Sequence, residues 1–169
     1  MSDPLFNTYL TAPWKMDYVK QKKDPHQCIL CAISQKISGV ITWEVFRDDL
    51  IMILLNRFPY NPGHLLIAPL EHYEHFEKLP NKLAVHLTLM LQRAIKLLNA
   101  THSPMGFNIG LNLGDIAGGS IKHLHWHIVP RYLGDLNFME ILKTRVMVET
   151  LVQTLTKLRT DTNILVSEE

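Results

Sequence analysis

Between residues 121 and 129 the chain reads Ile121-Lys122-His123-Leu124-His125-Trp126-His127-Ile128-Val129, an alternation of imidazole and large apolar side chains. Period-two alternation marks a β-strand with two unlike faces, because successive side chains point to opposite sides of the backbone. Leu124, Trp126 and Ile128 would pack into a core, which explains why the strand folds. His123, His125 and His127 would share the other face, three imidazoles within about 14 Å at a strand rise of roughly 3.4 Å per residue. Three readings of that face compete: a solvated polar surface, a set of metal ligands, and phosphoryl or nucleotidyl chemistry in which an imidazole attacks phosphorus. An imidazole with an ordinary pKa of about 6.5 is largely neutral near pH 7, so a nitrogen lone pair is available. Neighbouring N–H donors can stabilise charge on phosphate oxygens. The turn ahead, Gly118-Gly119-Ser120, favours this third reading. Glycines there let backbone N–H groups approach an anion closely, and Ser120 adds a hydroxyl donor.

The remaining pattern predicts an α+β domain on a mainly antiparallel, five-stranded sheet, with one long helix and a C-terminal helix. Val40 to Arg47 and Leu50 to Asn56 read as strands joined by an Asp48-Asp49 hairpin turn, and His64 to Pro69 as a third strand that the proline stops. Phe107 to Leu113 and Ile121 to Val129 complete the set. Asn81 to Asn99 is the clearest helix, with Leu83, Leu87, Leu91, Ala94 and Leu98 in one stripe and Asn81 as its N-cap. A short helix from Cys28 to Ser38 would end at Gly39 in a left-handed cap. The C-terminal helix carries Val148, Leu151, Val152, Leu155 and Leu158 on one face. Residues 1–27 read as an irregular arm, 28–160 as the domain and 161–169 as a tail. His86 and His102 read as surface residues; Trp14, Trp43 and Tyr60 could each stack on a nucleobase, with the core the favoured place for Trp43.

A chain of 169 residues with 47% hydrophobic and 20% charged residues has the composition of one globular domain. Its net charge of +1 argues against binding a nucleic-acid polymer, which takes a dense basic face. A small anionic substrate in a locally positive pocket is compatible with it. Met1 to Tyr18 shows no export signal, and the longest apolar run, Leu50 to Leu55, is far short of the roughly 20 residues that cross a bilayer. The expectation is a cytoplasmic protein that engages no membrane.

The only cysteines, Cys28 and Cys31, stand three positions apart. That spacing fits a redox pair, half of a zinc site, or two buried thiols. A redox pair would open a helix after a strand, and the polar segment Lys20 to Gln27 does not read as one. Zinc would take two further ligands, for which His26, His72, His75 and His123 are the candidates.

The run His123-Leu124-His125-Trp126-His127-Ile128-Val129 resembles the signature of the histidine triad (HIT) family, His-x-His-x-His followed by apolar residues. Asn56, Pro62-Gly63-His64 and Leu65-Leu66-Ile67-Ala68-Pro69 resemble that family's upstream block. Asn56 to His64, Arg131-Tyr132-Leu133-Gly134-Asp135-Leu136-Asn137-Phe138-Met139 and Thr144-Arg145-Val146 resemble its bacterial diadenosine tetraphosphate phosphorylase branch.

The resemblance implies the HIT-like fold and a nucleotidyl-transferring enzyme, a diadenosine tetraphosphate phosphorylase or hydrolase. His125 would be the nucleophile that takes the nucleotide α-phosphate, with His127 and His64 positioning ring and phosphate. Asn56 would bind the ribose hydroxyls, and Asn112, Gly119 and Ser120 would bind phosphate or the scissile bridging oxygen. The arrangement in some family members lands on Cys28, Cys31, His72 and His123 as ligands of a structural zinc. Phosphate or water would release the nucleotide. The family also contains nucleoside phosphoramidate hydrolases, and a slow nucleotide-binding regulator is a reading from another class. Similar members are homodimers whose sheets continue across the interface.

Overall fold

The computed structural model describes residues 28–135 and 149–166. The predicted arm, and Val148 of the predicted C-terminal stripe, lie outside the described residues. Helix α1 spans Ile29–Ser34 and is followed by strands β1, Glu44–Arg47, β2, Ile51–Leu55, and β3, Leu65–Pro69. The long helix α2 covers Asn81–His102, and strands β4, Gly106–Leu111, and β5, Trp126–Arg131, follow it. Helix α3 runs Leu151–Thr160. The five strands form one sheet in the order β1-β2-β3-β5-β4, and every pairing is antiparallel.

β2 and β3 are buried at every residue, and their side chains sort by parity onto two faces. Ile51, Ile53, Leu55, Leu65 and Ile67 join the large core with Leu87, Met90, Ala94 and Leu98 of α2 and with Trp126 and Ile128 of β5. Met52, Leu54, Leu66 and Ala68 face the other way and pack with Leu30 of α1. Such continuous apolar runs belong to strands covered on both sides. Helix α2 lies against one face and α1 against the other. Arg47 fixes α1 in place: its guanidinium donates to the Ser34 and Ile33 carbonyls at 3.0 and 3.1 Å while paired with Glu44 at 2.7 Å. Those carbonyls are among the ones a helix end leaves without partners.

The hairpin expected at Asp48-Asp49 is present. Asp48 Oδ1 accepts the Leu50 and Ile51 amides, each at 2.8 Å, closing an Asx turn. Its other oxygen meets His86 Nε2 at 2.7 Å, so His86 is a half-buried tie between α2 and the hairpin. Burial alone would raise the Asp48 pKa, but the two amides and His86 lower it on balance.

Several boundaries differ from the sequence reading. The first strand starts at Glu44, the second starts at Ile51 and ends at Leu55, the third starts at Leu65, and the fourth ends at Leu111. Helix α1 stops at Ser34, and the left-handed residue just beyond it is Lys36, not Gly39. Pro80, not Asn81, is the N-cap of α2, and Ser103 closes its other end in a left-handed conformation. The stripe of α2 buries Met90 and Leu97 as well, with Leu91 only partly covered. In α3 Val152 is 62% exposed, because Leu158 and Thr154 hold the inward face; a capping box between Thr150 and Gln153 starts that helix. Leu165, beyond the predicted domain end, is fully buried in the same core, and its carbonyl accepts Arg93 at 2.8 Å. No helix among the described residues is long and apolar enough to cross a membrane.

Ile67 pairs with Ile53 on one side and Trp126 on the other and has no exposed surface. Ile67→Ala should cost about 2–5 kcal/mol of stability in denaturant unfolding, the range for truncating a fully enclosed aliphatic side chain. A loss below about 1 kcal/mol would mean that this face of β3 is open to solvent.

Candidate active site

β5 does not begin where alternation predicts. Its pairing with β3 ends at Ile67 opposite Trp126, so His123 and His125 precede the strand. Pro69 explains the ending. It has no N–H to give a ladder, and its carbonyl is taken by His123 Nε2 at 3.0 Å. The Leu124 amide turns instead to the Tyr73 carbonyl at 2.7 Å. Parity survives: Leu124, Trp126 and Ile128 enter the large core, and the His125 and His127 rings stand 4.9 Å apart. The imidazoles do not form a solvent-facing surface, because His123 and His125 are buried and His127 is half-buried.

His123 faces the two thiols. Its Nε2–H donates to the Pro69 carbonyl, which leaves the Nδ1 lone pair aimed at Cys28 and Cys31 Sγ, both at 3.5 Å. His72 Nδ1 lies 3.2 Å from Cys31 Sγ, and its Nε2 lies 3.3 Å from Glu74. The ligand atoms of Cys28, Cys31, His72 and His123 all fall within 4.8 Å of one another. Tetrahedral bonds of about 2.3 Å to sulfur and 2.0–2.1 Å to nitrogen place neighbouring ligands about 3.5 Å apart, so these spacings suit a bound ion. Each histidine has its other nitrogen held by a carbonyl or carboxylate, the usual support for a metal-bound imidazole. Burial, with Cys28 beside it, pushes the Cys31 thiol up to about 11, and burial pushes His123 down to about 4. A thiol placed like that of Cys31 ionises poorly until a cation joins it. His75 stands apart, 3.6 Å from Glu77, and His26 lies outside the described residues.

On the other side of His123 the imidazoles form a chain whose protons can be assigned from their partners. The Tyr60 amide donates to His64 Nδ1 at 3.0 Å, so that nitrogen is an acceptor and the proton of His64 is on Nε2. His64 Nε2 lies 2.9 Å from His127 Nδ1 and donates to it. His127 therefore carries its proton on Nε2. His125 is set the opposite way round: its Nδ1–H donates to the His123 carbonyl at 2.7 Å, which leaves the lone pair on Nε2. Burial lowers the pKa of both His125 and His127, the latter to about 4 with His125 adding to the effect. His125 and His127 are therefore neutral near pH 7. One offers a lone pair and its neighbour an N–H.

Asn56 sits beside this chain, with its amide nitrogen 3.3 and 3.4 Å from the two nitrogens of His64 and its oxygen accepting the Phe58 amide. Asn112 and Gly119 line one cavity of about 400 Å³ together with His123 and Phe76. The amides of the glycine turn are not free to meet an anion. Gly118 N–H donates to Asp115, Gly119 to Gly114 and Ser120 to Gly118, at 3.0, 3.0 and 2.9 Å. Glycine is required at 119 by space instead: a Cβ there would stand 2.9 Å from the carbonyl oxygens of Asn112 and Gly114. Ser120 is exposed at the end of this turn.

His102, read as a surface residue, has a side chain only 1% exposed. It packs beneath Gly63, where a Cβ would meet its ring at 3.3 Å, and burial lowers its pKa. Tyr60 places its ring 4.9 Å from that of His64. Its backbone amide, the donor to His64, carries no mark in the sequence. The support for His72 had a faint one, since Glu74 stands two residues after it.

Residues 41–134 match the HIT domain family. Over 141 residues the chain is 38% identical to AP-4-A phosphorylase of Mycobacterium tuberculosis, covering 79% of this chain and 72% of that protein. An uncharacterised HIT-like protein of Methanocaldococcus jannaschii is 35% identical over 64% of this chain and 81% of its own. Among solved structures, a Zn-bound histidine triad family protein from Mycobacterium smegmatis superposes with a TM-score of 0.68 at 25% identity, over 82% of this chain and 93% of that one. The family match spans more than half of the chain, and the α+β architecture is that of its structural neighbours: the protein belongs to the HIT domain family.

Proposed function

We propose that this chain is a nucleotidyl-transferring enzyme acting on a dinucleoside polyphosphate of the diadenosine tetraphosphate type, with inorganic phosphate as acceptor. The observation that carries the reading is the opposed setting of two adjacent neutral imidazoles. His125 presents the Nε2 lone pair and His127 an Nε2–H, each fixed by the partner of its other nitrogen. In the first step His125 Nε2 forms a bond to the α-phosphorus as the bond to the bridging oxygen breaks, and the leaving nucleotide departs with that electron pair as a phosphate oxyanion. His125 keeps its Nδ1–H on the His123 carbonyl, so the positive charge of the phosphoimidazolium has a hydrogen-bond acceptor beside it. His127 donates to a non-bridging oxygen. In the second step an oxygen of inorganic phosphate attacks the same phosphorus and returns the lone pair to His125, releasing a nucleoside diphosphate. Asn56 serves the ribose hydroxyls. Asn112 and the Ser120 hydroxyl serve phosphate and the bridging oxygen, and Gly119 shapes their loop. The 38% identity to a phosphorylase supports phosphate over water.

Incubation with diadenosine tetraphosphate and labelled phosphate should yield labelled ADP with ATP. AMP with ATP would make the enzyme a hydrolase, turnover of phosphoramidates alone would move it to that class, and tight binding without turnover would make it a regulator. His125→Asn should lower kcat by about a thousandfold or more while the nucleotide still binds, the scale seen when a nucleophile is removed. Turnover near the parent level in that variant would overturn the role of His125.

The Cys28, Cys31, His72 and His123 cluster fits zinc by donor type and spacing. Four protein ligands leave no open position, so the ion would be structural, joining α1 to the segments after β3 and before β5. Structural zinc in small sites binds with about 10–16 kcal/mol, comparable to the whole stability of a domain. The purified protein should hold one zinc per chain, and Cys28→Ala should lose both the ion and thermal stability. Unchanged zinc by elemental analysis would overturn the assignment. A second copy of the chain would join along β4, which among the described residues pairs only with β5 and exposes Asn108, Ile109 and Gly110. Light scattering should then report the mass of two chains.

A further inference from the structure

The segment Arg131-Tyr132-Leu133-Gly134-Asp135 has no place in the chemistry above, yet it closes one of the densest polar networks in the described structure. The Arg131 guanidinium holds Asp135 through Nε at 2.6 Å and Nη2 at 2.9 Å, and Nη1 reaches the Asn108 side chain at 2.6 Å. Asp135 Oδ2 also accepts the Tyr132 amide at 3.1 Å. From across the chain, Asn61 Nδ2 donates both to that oxygen at 2.9 Å and to the Pro130 carbonyl at 2.8 Å. Tyr132 adds a second tie, its hydroxyl donating to the Pro62 carbonyl at 3.0 Å. The donors around it hold the Asp135 carboxyl down at about 2, so it stays ionised throughout the physiological range.

Everything this network grips on its far side belongs to the loop between Asn56 and His64. Asn61 is bonded to the catalytic chain directly, since its carbonyl accepts the His64 amide at 3.1 Å. One residue earlier, the Tyr60 amide is the donor that makes His64 Nδ1 an acceptor. The base of the loop is closed by the Asn56 amide on the His64 carbonyl at 2.9 Å, so its tip is the part left to be located. Gly63, at a φ of +79°, lets the chain turn against Pro130 and His102 on its way from that tip to His64.

We propose that Asp135, acting through Asn61, is a positioning residue that sets the tautomer of the catalytic imidazoles. With the loop tip held, the Tyr60 N–H occupies His64 Nδ1, the His64 proton stays on Nε2, and His127 is left to present its own Nε2–H. With the tip released, His64 Nδ1 loses its obligatory donor. Either tautomer of His64 then becomes accessible, and the Nδ1–H form presents a lone pair to His127, which turns the His127 proton inward to Nδ1 and away from a substrate. The kinetic part of this inference rests on the transfer reading; the tautomer part does not.

The test uses the full chain labelled with 15N in its histidines. Imidazole 15N–1H correlation spectra of the parent should show His64 and His127 each as a single Nε2–H tautomer. In Asp135→Ala, and separately in Asn61→Ala, both should shift toward mixtures of the two tautomers. Where diadenosine tetraphosphate is turned over, kcat should fall about 10- to 100-fold, the scale of a small misplacement of reacting groups, with KM changed less than about threefold. Asp135→Glu, which restores a carboxylate, should recover part of the loss. Tautomers unchanged in a folded Asp135→Ala or Asn61→Ala protein overturn the proposal, as does a loss of kcat that comes with parent-like spectra. A parent protein inert toward the dinucleotide overturns only the transfer reading, because the spectra still decide the role of Asp135.

Discussion

His123 is the residue on which the site depends, because three of its polar atoms point at three different parts of the molecule. Nδ1 faces the two cysteines of the α1 end, Nε2 is bonded to the last carbonyl of β3, and the backbone oxygen holds the ring of His125. Removing its side chain would free the Pro69 carbonyl, take a nitrogen lone pair from the sulfur cluster and loosen the backbone that orients His125. A buried polar group with all its partners in place is a rigid element, whereas one with a partner missing carries the full cost of its desolvation. His123 is buried with its partners present, and the His125 ring inherits that rigidity through a 2.7 Å bond.

The rest of the chemistry follows from neutrality. Burial disfavours the charged form of an imidazole, and it outweighs the carbonyls that His123 and His125 donate to, which pull the other way. A second proton on His64 would have to sit on Nδ1, where the Tyr60 N–H already points; a second proton on His127 would meet the His64 N–H. Geometry and burial thus favour the same protonation state by independent routes. Such a site offers directed N–H groups, and His125 Nε2 keeps its lone pair without a base to deprotonate it.

Much of this was legible in the chain. The runs of β2 and β3, the Asp48-Asp49 hairpin, the long helix and the parity of Leu124, Trp126 and Ile128 are local signals, and local signals survive folding when the core they imply exists. The misreadings have tertiary causes. Alternation runs from His123, but a strand is defined by its ladder, and the ladder begins at Trp126, three residues later. The glycine turn was expected to offer its amides to an anion; it uses them to close itself, and Gly119 answers a space requirement that no spacing rule shows. His102 lies on a helix end packed against Gly63 and beside Glu149, and nothing near it in sequence records that cover. Asn61 and Asp135 stand 74 positions apart, and each alone reads as a turn residue.

The site is consequently held from two directions by different means. His125 is anchored through His123 to the sulfur cluster, a short-range arrangement whose strength would come from a metal. His127 is oriented through His64, and His64 through a loop whose tip is tied by the Arg131, Asp135 and Asn61 side chains. The two rings meet at 4.9 Å, so an error in either support appears as a misalignment between lone pair and N–H. That division explains why a chain with so apolar a sheet still places a charged cluster at the end of β5. Apolar packing fixes the strands to within the tolerance of van der Waals contact, but it cannot say which nitrogen of an imidazole carries the proton. Only directed hydrogen bonds carry that information, and the loop from Asn56 to His64, which contributes few buried apolar side chains of its own, gets its direction from them.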